Sequence, residues 1–251
     1  MSHPSSPSSP WPYPRWIAHR GAGKLAPENT LAAFQVGAAH GYRMFECDVK
    51  LSHDDVPFLL HDATLERTTN GSGTAGALPW QTLAQLDAGR WHSPGFTGEP
   101  LPTLERIAHY CLAHDYRLNI EIKPAPGTEY HTGEVVAAAA ARLWQGQPVP
   151  PLLTSFQPDA LNGARATAPA LPRGLLLDHL WTGWLETALI LGCVAVVCHH
   201  ELWDTSSLTQ AHSAGLRCLC YTVNDATTAR HLLELGLDGI ITDRIDLFSP
   251  T

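Results

Sequence analysis

The chain has 251 residues, with 24 Asp and Glu against 16 Lys and Arg and a formal net charge of −8. This length fits one large α/β domain better than two small ones, and 44% hydrophobic residues suffice for a sizeable core. The acidic balance argues against a broad nucleic-acid surface, because such a surface needs clustered Lys and Arg.

The chain starts with a stretch rich in Ser and Pro, residues 1–14, which predicts a disordered N-terminal arm. The stretch lacks the basic start and apolar centre of a secretion signal. No later segment has the apolar length of a membrane span. The six cysteines show no C-x-x-C pair and no zinc-finger spacing, which favours reduced thiols. We therefore expect a soluble, cytoplasmic protein with a single domain over residues 15–251 and no membrane partner.

Apolar, strand-like runs then alternate with helix-length segments, the pattern of parallel βα units. The pattern predicts parallel strands at 16–19, 43–48, 117–122, 152–156, 173–177, 193–198, 217–223 and 239–242. It predicts helices at about 30–40, 102–114, 133–145, 158–166, 182–191, 205–214 and 225–235. Eight strands with helices between them predict an α/β fold of the TIM (β/α)8 barrel type.

Charged and imidazole side chains gather at the ends of the first of these apolar runs. The clusters are His19-Arg20, Glu46-Cys47-Asp48, His61-Asp62 and Glu121-Ile122-Lys123. Barrel enzymes collect catalytic groups from distant parts of the chain at the ends of their strands. Carboxylates, imidazoles, a guanidinium and an ammonium together suit a hard cation and a phosphate ester.

A hairpin is expected after the second strand, because the connection to the next apolar run, 57–61, is too short for a crossover helix. A tight turn would place Asp48 opposite Leu59 and Glu46 opposite His61, all four on one face.

Residues 63–101 interrupt the βα pattern with many Gly and Pro residues. A loop of this length inside a compact barrel is usually functional. The segment predicts a small insertion, after the hairpin of the second barrel strand, that caps the catalytic end.

Three carboxylates predict a metal site. Glu46 and Asp48 are two apart on a strand, so they point the same way and would repel each other unless a cation neutralises them. Glu121, on the neighbouring predicted strand, offers a third oxygen ligand. An all-carboxylate set suits one Mg²⁺ or Ca²⁺ ion rather than zinc.

The remaining groups match a phosphate ester. Arg20 and Lys123 offer contacts to phosphate oxygens, and both could also pair with the carboxylates. His19 and His61 titrate in the range needed to accept one proton and donate another.

These residues, in this order, resemble the glycerophosphodiester phosphodiesterase family. The resemblance extends from about residue 17 to the end of the chain, and within the family it is nearest to cytoplasmic bacterial members associated with glycerol-3-phosphate uptake. The matching segments are AHRG at 18–21, APENT at 26–30, ECD at 46–48, HD at 61–62, LERTTNG at 65–71, EIK at 121–123, SF at 155–156 and YTVN at 221–224.

The resemblance implies a hydrolase that converts glycerophosphodiesters, such as those of choline, ethanolamine or glycerol, into sn-glycerol 3-phosphate and an alcohol. The implied roles are a divalent metal at Glu46, Asp48 and Glu121, acid/base catalysis by His19 and His61, phosphate binding by Arg20 and Lys123, and a pocket lined by Phe156 and Tyr221. Asn224 has two interpretations of similar weight, as a pocket residue or as a helix cap.

The expected reaction proceeds through a cyclic phosphate, with one histidine accepting the proton of the neighbouring glycerol hydroxyl and the other protonating the leaving alcohol. Direct attack by water is the alternative. Two other interpretations are a related barrel lyase that stops at the cyclic phosphate and a non-catalytic glycerophosphodiester-binding protein. The sequence leaves open Mg²⁺ or Ca²⁺, the head group, the role of each histidine and the oligomeric state.

Overall fold

Eight parallel strands form a closed barrel in the computed structural model, which describes residues 11–250. The barrel strands are β1 (Trp16–Ala18), β2 (Met44–Leu51), β4 (Arg117–Ile122), β5 (Leu152–Ser155), β6 (Arg173–Leu177), β7 (Ala195–His199), β8 (Arg217–Tyr221) and β9 (Gly239–Thr242). The sheet closes because β1 pairs in parallel with both β9 and β2. The predicted TIM barrel is confirmed.

Helices connect these strands and cover the outside of the barrel. They are α1 (Leu31–Ala39), α3 (Leu104–Ala113), α4 (Glu129–Leu143), α5 (Pro158–Thr167), α6 (Trp184–Ile190), α7 (Thr205–Ser213) and α8 (Ala226–Leu235). Side-chain caps fix several starts, since Thr30, Thr103, Asp204 and Asp225 each accept a hydrogen bond from a backbone N–H of the first turn. Among the described residues, no helix combines the length and the apolar character needed to cross a bilayer.

The N-terminal end of the barrel interior is closed by an aromatic side chain. Tyr13 is 6% exposed, packs with Ile17 and Met44, and donates its hydroxyl to the carbonyl of Pro150 at 2.9 Å. Residues 1–10 of the predicted arm lie outside the described residues. Residues 11–14 are packed rather than disordered, because the rings of this short segment bury apolar surface against the barrel.

The predicted hairpin forms, with a register one residue away from the predicted one. Strand β3 (Pro57–Leu59) runs antiparallel to β2, and Leu59 lies opposite Val49 rather than Asp48.

The turn of this hairpin explains the shift. Ser52 N–H donates to the Val56 carbonyl at 3.1 Å, which encloses three residues instead of two. Asp55 closes the turn in the left-handed region, at φ +58°. His61 is therefore not the cross-strand partner of Glu46, and it reaches the barrel mouth from the segment that follows β3.

Residues 63–101 form a compact addition between β3 and α3. It contains the short helix α2 (Trp80–Leu83) and two 3₁₀ turns, Ala75–Ala77 and Pro94–Phe96. Its apolar side chains Leu65, Ala75, Leu83, Ala88 and Leu101 form a separate cluster with Phe58 of β3 and the neighbouring Leu60. The addition therefore shares a small core with the hairpin, and this core can hold the polar residues of the addition in place.

Candidate active site

The loop after β1 carries His19 and Arg20 into the mouth of the barrel. Arg20 adopts φ +51°, an unusual conformation for a residue with a side chain, and its N–H donates to Oε2 of Glu46 at 3.0 Å. Gly23 lies so close to the backbone of Asp243 that a Cβ would come within 2.2 Å of the Asp243 carbonyl oxygen. Glycine is therefore required where this loop packs against the end of β9.

Three carboxylates converge from two neighbouring strands. Glu46 and Asp48 alternate on β2 and share a face, and Glu121 is the register partner of Asp48 on β4. One oxygen from each lies within 4.8 Å of the others. Glu46 and Asp48 are 3% and 1% exposed, and within residues 11–250 Oε1 of Glu46 has no hydrogen-bond partner.

The three carboxylates differ in acidity because their surroundings differ. Burial raises the pKa of Glu46, and the charges of Asp48 and Glu121 raise it further. Burial and the charge of Asp48 raise the pKa of Glu121 to about 7. Burial also opposes ionisation of Asp48, but Arg20 and Lys123 outweigh it and hold its pKa at about 2. The positive charges beside the cluster therefore do not balance its three carboxylates.

This donor set fits a hard divalent cation. Its oxygens are all carboxylate, they are close enough to share one ion, and one of them is buried without a hydrogen-bond partner in the part of the chain that the structure describes. The residues that could hold the ion are Glu46, Asp48 and Glu121.

Two cationic side chains flank the cluster, and a buried asparagine braces it. Lys123 Nζ lies 3.0 Å from Oε1 of Glu121 and 3.5 Å from Oδ1 of Asp48, and Arg20 Nε lies 3.3 Å from Oδ2 of Asp48. Burial disfavours the charged form of Lys123, but Asp48 and Glu121 outweigh it and raise its pKa. Asn29 fixes Asp48, donating from Nδ2 to its Oδ2 at 2.8 Å and accepting from its N–H at 3.1 Å.

Each of the two predicted histidines is oriented by its own carboxylate. Nδ1 of His19 lies 2.6 Å from Oδ1 of Asp243, and Nδ1 of His61 lies 2.7 Å from Oδ1 of Asp62. An ionised carboxylate only accepts hydrogen bonds, so each contact places the proton on Nδ1 and leaves Nε2 as the reactive nitrogen. The His19 Nε2 atom lies 3.8 Å from Oε2 of Glu46.

The pKa of His61 is lowered, chiefly because burial disfavours the imidazolium, with Arg20 and Lys123 adding to the effect. His61 is therefore held in its neutral form more firmly than a free imidazole.

The site surrounds a cavity of about 230 Å³. Phe156 and Tyr221 line one side with rings 5.7 Å apart at 86°, and the Tyr221 hydroxyl donates to the Leu177 carbonyl at 2.9 Å. On another side, Thr154 donates to Oδ1 of Asn119 at 2.9 Å, and within residues 11–250 Nδ2 of this buried asparagine has no acceptor. The cavity thus offers an aromatic wall and a free amide donor.

The structure brings together every residue predicted for the site. His19, Arg20, Glu46, His61, Glu121, Lys123, Phe156 and Tyr221 line the cavity, and Asp48 lies within the carboxylate cluster.

Sequence reasoning missed the orienting residue Asp243. It immediately follows β9, so the strand-end rule that selected the other residues could have found it. Asn224 is not the cap of α8, because Asp225 caps that helix. Asn224 instead donates from Nδ2 to Oδ2 of Asp243 at 3.0 Å.

Comparison with known proteins identifies relatives in sequence. The model of the glycerophosphoryl diester phosphodiesterase family matches residues 19–247. YhdW of Bacillus subtilis is 32% identical over 92% of this chain and 94% of its own length. The glycerophosphodiester phosphodiesterase of Caldanaerobacter subterraneus is 31% identical over 90% of this chain and 93% of its own.

A solved structure extends the likeness to three dimensions. The phosphodiesterase of Oleispira antarctica, in complex with the product sn-glycerol-3-phosphate, superposes with a TM-score of 0.86. It is 35% identical, with 92% of this chain and 93% of that chain covered.

Proposed function

The chain belongs to the glycerophosphoryl diester phosphodiesterase family, and we propose that it releases sn-glycerol 3-phosphate and an alcohol by metal-dependent acid/base catalysis. It is a phosphoric diester hydrolase that acts on glycerophosphodiesters. The substrates proposed are the small diesters glycerophosphocholine, glycerophosphoethanolamine and glycerophosphoglycerol. The product bound to the Oleispira relative supports sn-glycerol 3-phosphate as the product here.

Glu46, Asp48 and Glu121 would hold one Mg²⁺ or Ca²⁺ ion. When bound, such an ion would neutralise charge on the phosphate and lower the pKa of a nearby hydroxyl. The raised pKa values of Glu46 and Glu121 support this assignment, because the positive charges of Arg20 and Lys123 do not offset burial and the repulsion between the carboxylates.

Arg20 and Lys123 are proposed to bind the phosphate. Both remain charged inside the site and lie beside the carboxylates, and a guanidinium matches two phosphate oxygens at once. Phe156 and Tyr221 are proposed to form the apolar wall along which the substrate lies. The free Nδ2 of Asn119 is proposed to donate to a substrate oxygen at the same cavity.

In the proposed reaction the glycerol hydroxyl next to the ester attacks phosphorus, and the bond from phosphorus to the head-group oxygen breaks. The Nε2 atom of one histidine, in its neutral form, accepts the hydroxyl proton, and the other histidine, in its doubly protonated imidazolium form, donates its Nε2 proton to the leaving alcohol. Water then opens the five-membered cyclic phosphate, with the two histidines exchanging roles. His19 and His61 suit these steps because each is oriented through Nδ1.

The observation that carries the proposal is the placement of two carboxylate-oriented imidazoles at one cavity with the three-carboxylate cluster. The test measures glycerol 3-phosphate released from several glycerophosphodiesters, in excess chelator and after adding back Mg²⁺ or Ca²⁺. We expect chelation to abolish activity and one of the two ions to restore it. Full activity in excess chelator would contradict the metal assignment.

Variants test the side chains in the same assay. His19→Ala and His61→Ala should each lower kcat by about 10²–10⁴-fold, because general acid or base catalysis is lost. Glu46→Gln should weaken metal binding measured by calorimetry. Asp115→Asn, exposed in the turn before β4, is the control and should keep wild-type rates. Wild-type rates in His19→Ala would remove that residue from the chemistry.

A substrate analogue separates the two routes. A glycerophosphodiester without the 2-hydroxyl lacks the nucleophile of the cyclic route, so its turnover should vanish. Undiminished turnover would instead favour direct attack by water, and accumulation of the cyclic phosphate from the normal substrate would indicate a lyase.

A further inference from the structure

One side chain of the insertion, Arg67, joins two parts of the site that the proposed mechanism treats separately. Its Nε and Nη2 atoms donate to the two oxygens of Asp62 at 2.6 and 3.0 Å. Its Nη1 and Nη2 atoms donate to the two oxygens of Glu28 at 2.8 and 2.9 Å. A single guanidinium therefore makes two bidentate contacts, an arrangement that only arginine allows.

The first contact leads to an imidazole. Oδ1 of Asp62 accepts from Nη2 of Arg67 and also lies 2.7 Å from Nδ1 of His61. Because the guanidinium donates a hydrogen bond to each oxygen, it restrains rotation of the Asp62 carboxylate. Arg67 also lowers the pKa of Asp62, chiefly through these hydrogen bonds, so that carboxylate stays ionised and can only accept.

The second contact leads to the proposed phosphate-binding group. Oε1 of Glu28 accepts from Nη2 of Arg67 and from Nη1 of Arg20 at 2.8 Å. Glu28 therefore lies between two guanidinium groups and fixes one against the other. On its far side Arg20 reaches Asp48 of the carboxylate cluster.

Within residues 11–250, no guanidinium donates to the carboxylate partner of the other imidazole. Asp243, the partner of His19, is held by the neutral amide of Asn224, and both residues belong to the barrel. Arg67 therefore holds the carboxylate partner of His61 and not that of His19.

An ordinary surface ion pair is the competing interpretation, since the Arg67 side chain is 44% exposed and such pairs contribute little stability. Two observations oppose it. Both carboxylates that Arg67 grips are less exposed than it is, Glu28 at 13% and Asp62 at 29%. Each of those carboxylates also contacts a residue that lines the catalytic cavity.

We propose that Arg67 is a positioning residue, which through Asp62 aims Nε2 of His61 at the substrate and through Glu28 holds Arg20 against the phosphate. The inference rests on the proposed function, because it requires His61 and Arg20 to act on the substrate. It adds that the geometry of these two barrel groups depends on a side chain of the insertion.

The first test compares Arg67→Ala and Arg67→Lys with wild type in steady-state kinetics. Arg67→Ala should lower kcat by about 10–10²-fold, the usual effect of a small misplacement of reacting groups, and should raise KM as Arg20 loosens. Arg67→Lys should recover little of this loss, because one ammonium replaces four directed hydrogen bonds with a point charge.

Added guanidinium ion distinguishes positioning from a structural role. Millimolar guanidinium should restore part of the kcat of Arg67→Ala, and methylammonium at the same concentration should not. Arg117→Ala is the matched control, since Arg117 also grips one carboxylate through two nitrogens but begins β4 at the opposite end of the barrel. It should keep the wild-type kcat.

A mutant cycle tests whether Arg67 affects kcat through Asp62 and Glu28. If Arg67 acts through Asp62 and Glu28, adding Arg67→Ala to the Asp62→Asn, Glu28→Gln double variant should lower kcat by no more than about twofold. A multiplicative loss, or wild-type kcat and KM in Arg67→Ala, would overturn the inference. A different result would contradict the proposed function, namely unaltered rates in His61→Ala or Glu46→Gln.

Discussion

At the scale of single residues, the two imidazoles of the site are alike in what orients them and different in what holds the orienting group. Asp243 is braced by the amide of Asn224, whereas Asp62 is braced by the guanidinium of Arg67. In both cases Nδ1 is occupied and Nε2 is left for the substrate. A carboxylate one step away from the substrate thus determines what the histidine can do.

Replacing one of these carboxylates by its amide should expose that dependence. Asp243→Asn keeps the size of the side chain but can donate to Nδ1 of His19, which favours the wrong tautomer. We expect kcat to fall on the order of 10²–10⁴-fold with little change in melting temperature. The measurement is steady-state release of glycerol 3-phosphate. The variant His19→Ala/Asp243→Asn should be no slower than His19→Ala, and a further large loss would show that Asp243 acts elsewhere.

Glu28 predicts a pH-dependent contribution to stability. Burial would raise its pKa, but hydrogen bonds from Arg67 and the charge of Arg20 outweigh burial and lower it. A depressed pKa in the folded state stabilises the protein above the unfolded value, about 4.3, and this stabilisation is lost as the pH falls through the folded value.

Glu28→Gln should therefore cost about 2 kcal/mol of unfolding free energy at pH 7, since charged hydrogen bonds are lost. The difference from wild type should shrink as the pH falls below about 4.3. Urea unfolding at several pH values measures it. A difference that stays constant from pH 7 to pH 3 would contradict the assignment.

At the scale of elements, the end of each strand decides which side chains enter the site. Alternation along β2 turns Glu46 and Asp48 inward and turns Cys47 outward into the layer between the sheet and the helices. The loop after β1 adds two residues in the left-handed region, Arg20 and Asn29, at φ +51° and +59°. Such conformations cost about 1–3 kcal/mol each, and here contacts with the carboxylates offset the cost.

The hairpin between β2 and β3 gives a prediction at this scale. Asp55 adopts φ +58° in the turn, a conformation that glycine adopts without strain and alanine does not. Asp55→Gly should therefore be more stable than Asp55→Ala by about 1 kcal/mol in urea unfolding. Both variants should keep wild-type kcat, because the turn lies away from the cavity. Equal stabilities would show that the turn relaxes to a different conformation.

At the scale of the whole molecule, the two ends of the barrel have separate tasks. The cavity and its charged groups lie at the carboxyl ends of the strands, whereas Tyr13 closes the other end against Pro150. In barrels of this type the first end carries the chemistry and the second contributes stability.

Changes at the closed end should therefore affect stability without affecting catalysis. Tyr13→Ala should lower the unfolding free energy by about 3 kcal/mol by leaving a cavity, and Tyr13→Phe by about 1 kcal/mol by removing the hydrogen bond to Pro150. The kcat of the folded fraction should stay at the wild-type value in both. A kcat that falls in step with stability would show that the two ends are coupled.

Local patterns in the sequence were enough to predict the barrel and the metal, histidine and phosphate-binding residues of the site. Alternating strand and helix patterns are local, so they give the eight βα units and place His19, Glu46, Glu121 and Lys123 at or near strand ends. The rule that strand ends meet at one rim then brings residues far apart in sequence together without knowledge of packing.

How those groups are held depends on contacts that form only in the folded protein. The contact between His19 and Asp243 joins residues 224 positions apart, and the contacts from Arg67 to Glu28 and Asp62 depend on how the insertion folds back over the barrel mouth. The hairpin register depended on the left-handed turn at Asp55. A local pattern specifies which face a side chain occupies, but side-chain partners and the register of a turn are set by packing between segments that are distant in sequence.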